Sequence, residues 1–242
     1  VIPSKVIISF TEEIKEYTKK DCLVINLAKG MSDDGAFITE QIPFPRTASM
    51  KGPTFAIEVL HGLPSSFTFG GKREDYDRFK KEVLKDTGLY LDYTDDIRSV
   101  ELMSILKNMY AIAIGLVSGR FNSPNVDFLI YTKAVGEMRH FLSLFGCSTE
   151  TIFCYCGLGD LGLTSLNDLS RNRTLGLLMG KGFSIDNSGS SATVIEGSRT
   201  VKLMGELTRE RHVEEEFPLV QALYRMMYEQ EDLNDYMMAV FN

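Results

Sequence analysis

The chain has 242 residues, 44% of them hydrophobic and 24% charged, with a formal net charge of −7 at neutral pH. That is enough apolar material for one large or two modest domains with real cores, and it excludes a disordered chain. The acidic balance, with no compensating basic run, argues against a general nucleic-acid or membrane-surface binder, so any basic site must be local. Cys22, Cys147, Cys154 and Cys156 form no CxxC pair and three histidines accompany them. Reduced thiols, with neither a zinc site nor a disulfide framework, are expected. No signal-peptide pattern opens the chain, and its one long apolar stretch is interrupted, so a soluble cytoplasmic protein is expected.

In residues 5–19, Val6, Ile7, Phe10, Ile14 and Tyr17 recur at helical spacing. Cys22–Ala28 is an almost uniformly apolar run that reads as a buried strand, ending at Lys29-Gly30. A polar loop with Asp33, Asp34 and Gly35 follows, then a weakly amphipathic stretch to about Ser49. After Gly52-Pro53, Thr54–Val59 and Ser65–Phe69 read as two further strands, the second closed by Gly70-Gly71. Glu74–Leu84 reads as a charged amphipathic helix and Gly88–Tyr93 as a short strand. Alternation of this kind predicts an α/β sheet.

From Thr94 the pattern is helical. Thr94–Gly119 reads as one long helix, with Thr94, Asp95 and Asp96 suited to its N-terminus. Met109 to Val117 is apolar except for Gly115, so this half has no solvent face. Glu101, Ser104, Asn108, Ala111 and Gly115 form one polar or small stripe with Lys107 at its edge, and a polar partner is expected against it. A lysine at that place either snorkels to the surface or serves that partner. Further helices are predicted over Asn125–Phe145, Ser148–Tyr155, Ser170–Met179, Thr193–Arg211 and Phe217–Glu229, with a short one reaching Phe241. Gly146, Gly180 and Gly182 mark ends, and Pro218 marks a first turn. Asp186–Ala192, DNSGSSA, reads as a flexible connection. The expected division is an α/β part over residues 1–93 and an all-α part over 94–242.

Residues 157–162, GLGDLG, match the letters of a dinucleotide fingerprint, but that motif needs a strand before it and tolerates no acid facing the pyrophosphate. The glycines are read instead as a tight bend that aims Asp160, with a loop after it. Ser170-Arg171-Asn172-Arg173 places a good N-cap before two arginines in a first turn, where the dipole disfavours cations. Either an anion such as phosphate sits there, or both arginines reach water. Lys29, at a strand end, is placed where open α/β sheets bind ligands, or is simply solvated.

Taken together, VINLAKG (24–30), GPTFAIEV (52–59), VELMSILKNMYAIAIG (100–115), Asn125 with Glu137-Met138, GLGDLGLT (157–164), SRNR (170–173) and VIEG (194–197) resemble the NAD-dependent glycerol-3-phosphate dehydrogenase family in content and order. The resemblance implies a partial Rossmann-like α/β sheet over 1–93, the remainder of a dinucleotide-binding domain. It implies an all-α domain over 94–242, similar to the C-terminal domain of 6-phosphogluconate dehydrogenase, that binds substrate and carries the chemistry. The implied reaction interconverts dihydroxyacetone phosphate and sn-glycerol 3-phosphate by hydride transfer from or to NAD, with NADP left open and no metal. Lys107 is implied as the catalytic proton donor and acceptor, with Asp160 oriented towards it and Lys29 contacting both substrate and cofactor. Gly52, Thr54, Asn108, Thr164, Ser170, Arg171 and Asn172 are implied around the substrate. Ala56, Val194 and Glu196, with Lys29 and Arg171 again, are implied at the cofactor. The implied setting is a cytoplasmic homodimer in glycerol-phosphate and phospholipid-precursor metabolism, acting on a small phosphorylated substrate with no nucleic-acid or membrane partner.

Members of that family begin with a strand and a GxGxxG turn, and this chain is expected to start beyond both and to be inactive on its own. The alternative expectation is a non-catalytic fragment or homologue that keeps a phosphate-binding pocket. Ala28, Asn122-Ser123-Pro124 and Lys133-Ala134 are smaller departures from the family pattern.

Overall fold

The computed structural model describes residues 4–31, 35–183 and 196–241; Asp33, Asp34, Val194 and the 186–192 connection lie outside the described residues. The chain divides into two compact units, one of residues up to Ile105 with Leu142–Asp160, the other of Leu106–Phe141 with residues from Leu161 onward.

The first unit is built on a sheet in the order β1 (Leu23–Asn26), β2 (Arg46–Lys51), β3 (Ser65–Gly70), β4 (Leu89–Thr94). β1 and β2 are parallel, β2 and β3 antiparallel, β3 and β4 parallel, with Ile25 opposite Ala48 and Met50 opposite Phe69. Helices α1 (Ser4–Ile14), α2 (Ile38–Gln41), α3 (Ala56–Leu60) and α4 (Arg73–Glu82) lie between and before the strands in sequence. Cys22 and Val24 pack with Ile7, Ile38, Ile42 and Phe44, while Leu23 and Ile25 pack with Ala48, Phe69 and Tyr76. This two-residue alternation is why the whole run around β1 is apolar.

Three expectations for this unit are corrected. The run Cys22–Ala28 is not a fully buried strand, because β1 is an end strand of the sheet and its first three residues are half-buried. The weakly amphipathic stretch up to Ser49 contains β2, whose two charged side chains are paired: Arg46 with Asp75, and Lys51 with the Asn26 carbonyl. Thr54–Val59 is no strand, since after Pro53 the chain turns into α3, leaving Ile57, Val59 and Leu60 exposed.

The helices that follow are α5 (Ile97–Phe121), α6 (Pro124–Leu144), α7 (Asp160–Ser165), α8 (Arg171–Gly180), α9 (Glu196–Glu210), α10 (Pro218–Tyr228) and α11 (Leu233–Phe241). α5 starts three residues later than expected, where Asp96 Oδ1 accepts from the backbone N–H of Ser99 at 3.0 Å as an N-cap. Among the described residues α5 is the one helix long and apolar enough to cross a membrane, and that window is wholly buried within the protein. Ser148–Tyr155 is a 3-10 turn over Thr149–Phe153 rather than a helix, and the residues from Asp160 form α7 rather than a loop.

Within the second unit, α5 and α8 touch backbone to backbone. A Cβ on Gly115 or Gly119 would lie 2.4 Å from the carbonyl oxygen of Arg173 or Leu177 on α8. One on Gly176 or Gly180 would lie 2.1 or 2.0 Å from that of Ile112 or Leu116 on α5. Glycines four apart on both helices form one seam that no side chain could enter.

Candidate active site

The glycine seam fixes the first turn of α8 against α5. Ser170 caps α8, its Oγ accepting from the backbone N–H of Arg173 at 3.3 Å. Asn172 Nδ2 donates to Asn108 Oδ1 at 3.0 Å, and Asn172 Oδ1 accepts from the backbone N–H of Gly197 at 3.1 Å. Asn108 Nδ2 donates in turn to Glu196 Oε2 at 3.4 Å. One amide network therefore ties α5, α8 and the start of α9. The residue before Asn108, Lys107, is 2% exposed and donates from Nζ to Thr164 Oγ1 at 2.9 Å. It does not snorkel.

The two arginines of the SRNR stretch part company. Arg173 turns inward, donating from Nη1 to the Ser165 carbonyl at 2.6 Å and to Ser118 Oγ at 3.2 Å, with Nε on Asp168 at 3.2 Å. It is a structural arginine. Arg171 is exposed, and no hydrogen bond or ion pair among the described residues engages its guanidinium. A guanidinium beside the positive end of a ten-residue helix is an anion-attracting arrangement.

In the first unit, Lys29 Nζ lies 3.8 Å from Asp160 Oδ2, the lysine side chain 32% exposed and the carboxylate 1%. Cys156 donates from its backbone N–H to Thr68 Oγ1 at 2.8 Å, which anchors the segment leading to Asp160 on β3. Gly52, buried at the end of β2, packs against the backbone of Ser66, and Thr54 Oγ1 donates to the Gly52 carbonyl at 3.3 Å. Ala56 opens α3 at an exposed position. Sequence reasoning missed Lys51, which burial pulls down to about 7, with Glu101 opposing and Lys29 reinforcing that shift. The four cysteines are free, and burial pushes the Cys154 thiol up to about 11, so it stays protonated at neutral pH.

The structure thus brings together Lys107 with Thr164, and Asn108 with Asn172 and Glu196, in one unit, and Lys29 with Asp160 in the other. A small mixed sheet followed by a helical body with these motifs defines a nicotinamide-dependent dehydrogenase of the two-domain kind. Residues 96–238 match the C-terminus, and residues 1–77 the N-terminus, of NAD-dependent glycerol-3-phosphate dehydrogenase, and the chain belongs to that family. A glycerol-3-phosphate dehydrogenase [NAD(P)+] from Methanothermobacter thermautotrophicus is 33% identical over 222 residues, covering 90% of this chain and 67% of that protein. The solved glycerol-3-phosphate dehydrogenase of Coxiella burnetii is 26% identical with a TM-score of 0.83, covering 99% of this chain and 74% of that one. That of Plasmodium falciparum, at 20% identity and a TM-score of 0.85 over 100% of this chain and 71% of that one, shares the fold.

Proposed function

We propose that this chain interconverts dihydroxyacetone phosphate and sn-glycerol 3-phosphate with an NAD-type cofactor, Lys107 giving and taking the proton at the C2 oxygen. The observation that carries the reading is a buried lysine just before the apolar run of α5, oriented by Thr164 and followed by the Asn108–Asn172 network. When a ketone at C2 is reduced, negative charge develops on its oxygen. An ammonium held within reach stabilises that charge and then releases its proton to complete the alcohol. In the reverse direction the neutral amine of Lys107 takes the hydroxyl proton. Arg171, Asn172, Ser170 and the first turn of α8 hold the substrate phosphate, through charge-assisted bonds and the helix dipole. The family resemblance assigns Gly52, Thr54, Asn108 and Thr164 to the substrate as well, and Lys29, which pairs with Asp160, to both substrate and cofactor.

The residues assigned to the nucleotide fit it chemically. Lys29 is one-third exposed and Arg171 exposed, each within its own unit a cation suited to an anionic ligand, while Ala56 offers a small apolar contact and Glu196 an acceptor held by Asn108. Val194 joins them by motif. The bound reduced nicotinamide supplies the hydride. We read residues 1–93 as the nucleotide-facing part and 94–242 as the substrate and catalytic part of a cytoplasmic homodimer. The net charge of −7 supports the absence of nucleic-acid and membrane partners.

Lys107→Met tests the reading in the full-length enzyme, because the side chain is close in size but has no ammonium to give or take a proton. Oxidation of NADH driven by dihydroxyacetone phosphate falls at least ~10²-fold while the melting temperature is retained. A variant that kept more than half of wild-type turnover would remove Lys107 from the mechanism.

A further inference from the structure

The end of β1 is gripped by a buried polar cluster that the mechanism above does not use. Lys51, the last residue of β2, is 2% exposed and donates from Nζ to the carbonyl of Asn26 at 2.7 Å. Asn26 donates from Nδ2 to Glu101 Oε1 at 2.5 Å, and its Oδ1 accepts from the backbone N–H of Ala28 at 2.9 Å. The other Glu101 oxygen accepts from Thr39 Oγ1 at 2.8 Å and from the Thr39 backbone N–H at 3.3 Å. The carbonyl and the side chain of Asn26 are therefore held from two different elements. Three residues further on, Lys29 faces Asp160 at 3.8 Å, and Gly30 turns the chain with a φ of +112°.

Holding one carbonyl does not by itself account for a buried ammonium, which is unfavourable without charged compensation. The charges around Lys51 supply it unevenly. Glu101 and Asp160 favour the ammonium, and Lys29 opposes it. The cluster is thus electrostatically joined to the Lys29–Asp160 pair as well as joined through the backbone.

We propose that Lys51 is a positioning residue for Lys29: by clamping the Asn26 carbonyl beside the Glu101-bound side chain, it fixes the turn that presents Lys29 to Asp160. The inference rests on the role proposed above for Lys29 at substrate and cofactor. Without the clamp the turn loosens and Lys29 swings towards solvent. Binding then suffers more than proton transfer by Lys107 does.

A double-mutant cycle in the full-length enzyme tests this. Lys51→Met lowers kcat/KM for dihydroxyacetone phosphate about tenfold, chiefly through KM, whereas on a Lys29→Ala background it costs less than about twofold. Glu101→Gln, which keeps the shape and removes the charge, shows the same dependence on Lys29 and serves if Lys51→Met does not fold. Acetylation of Lys29 by acetic anhydride, followed by mass spectrometry, speeds up several-fold in the Lys51 or Glu101 variant whether or not turnover is measured. Equal losses in the two backgrounds, or unchanged labelling of Lys29, overturn the proposal. If wild-type enzyme shows no NADH oxidation with dihydroxyacetone phosphate, the functional reading has failed, and the labelling rate alone decides the clamp.

Discussion

Glu137 couples pH to the stability of the second unit. Its carboxyl, on a residue 5% exposed on α6, accepts from the backbone N–H groups of Leu219 at 2.6 Å and Val220 at 3.2 Å in the first turn of α10. It also accepts from the Tyr110 hydroxyl at 2.9 Å. Burial lifts this carboxyl from the ordinary 4.5 to about 7, with the two backbone bonds, Tyr110 and the charge of Lys133 pulling the other way. The folded protein therefore binds this proton more tightly than the unfolded chain does. The stabilisation is complete below pH 4.5 and is lost as pH rises through about 7. A displacement from 4.5 to about 7 is worth roughly 3 kcal/mol, at about 1.4 kcal/mol per tenfold in proton affinity. Glu137→Gln keeps the shape and one acceptor, losing the other at a pH-independent cost of about 1–3 kcal/mol. Urea titrations of both proteins should show the wild type losing roughly 2–3 kcal/mol relative to the variant between about pH 5 and pH 8. A difference that stays flat over that range refutes the assignment of the titration to Glu137.

Lys51 gives the opposite slope in the next window. Its burial lowers it from 10.5 to about 7, so its cost is full below pH 7 and is relieved as pH rises towards 10.5, and Lys51→Met should flatten the rise in stability over that interval. Arg171→Ala should raise KM for dihydroxyacetone phosphate by about 10- to 100-fold, the loss of one charge-assisted contact, while melting barely moves or rises as an unfavourable dipole contact disappears. Earlier unfolding by several degrees would make Arg171 a structural ion-pair partner instead. Gly176→Ala places a methyl 2.1 Å from the Ile112 carbonyl oxygen and 2.8 Å from the Leu116 nitrogen, so α8 must move off α5. Stability should fall by about 1–3 kcal/mol, and KM should rise because Asn172 moves with the helix.

The helical half of the fold was readable because its signals are local. Pro218 sits in the first turn of α10, Gly146 closes the turn after α6 with a φ of +66°, and Ser170 caps α8 as its residue type demands. The sheet was harder, because a strand is defined by neighbours distant in sequence. β2 is not legible in the sequence, since Arg46, Thr47, Ser49 and Lys51 look solvated and the partners of Arg46 and Lys51, Asp75 and Asn26, are 29 and 25 residues away. α3 reads as a strand on the strength of Phe55, Ile57 and Val59, yet these apolar residues end half-buried or exposed and enter no ladder.

The site divides in the same way. The stripe on α5 could be seen because a period of 3.6 residues is written into consecutive sequence, and two of its polar members do meet polar partners, Glu101 with Asn26 and Thr39, Asn108 with Asn172 and Glu196. Those partners stand 62 to 88 residues away, so periodicity marks the helix face but cannot name what lies against it. Gly115, the last member of the stripe, has a packing role: it admits the Arg173 carbonyl and thereby sets the α8 turn that holds Asn172. A lysine on an apolar helix is conspicuous because helix burial is readable from the residues around it. A lysine closing a short polar strand has no such background, and Lys51 becomes anomalous only once the sheet around it is known to bury it.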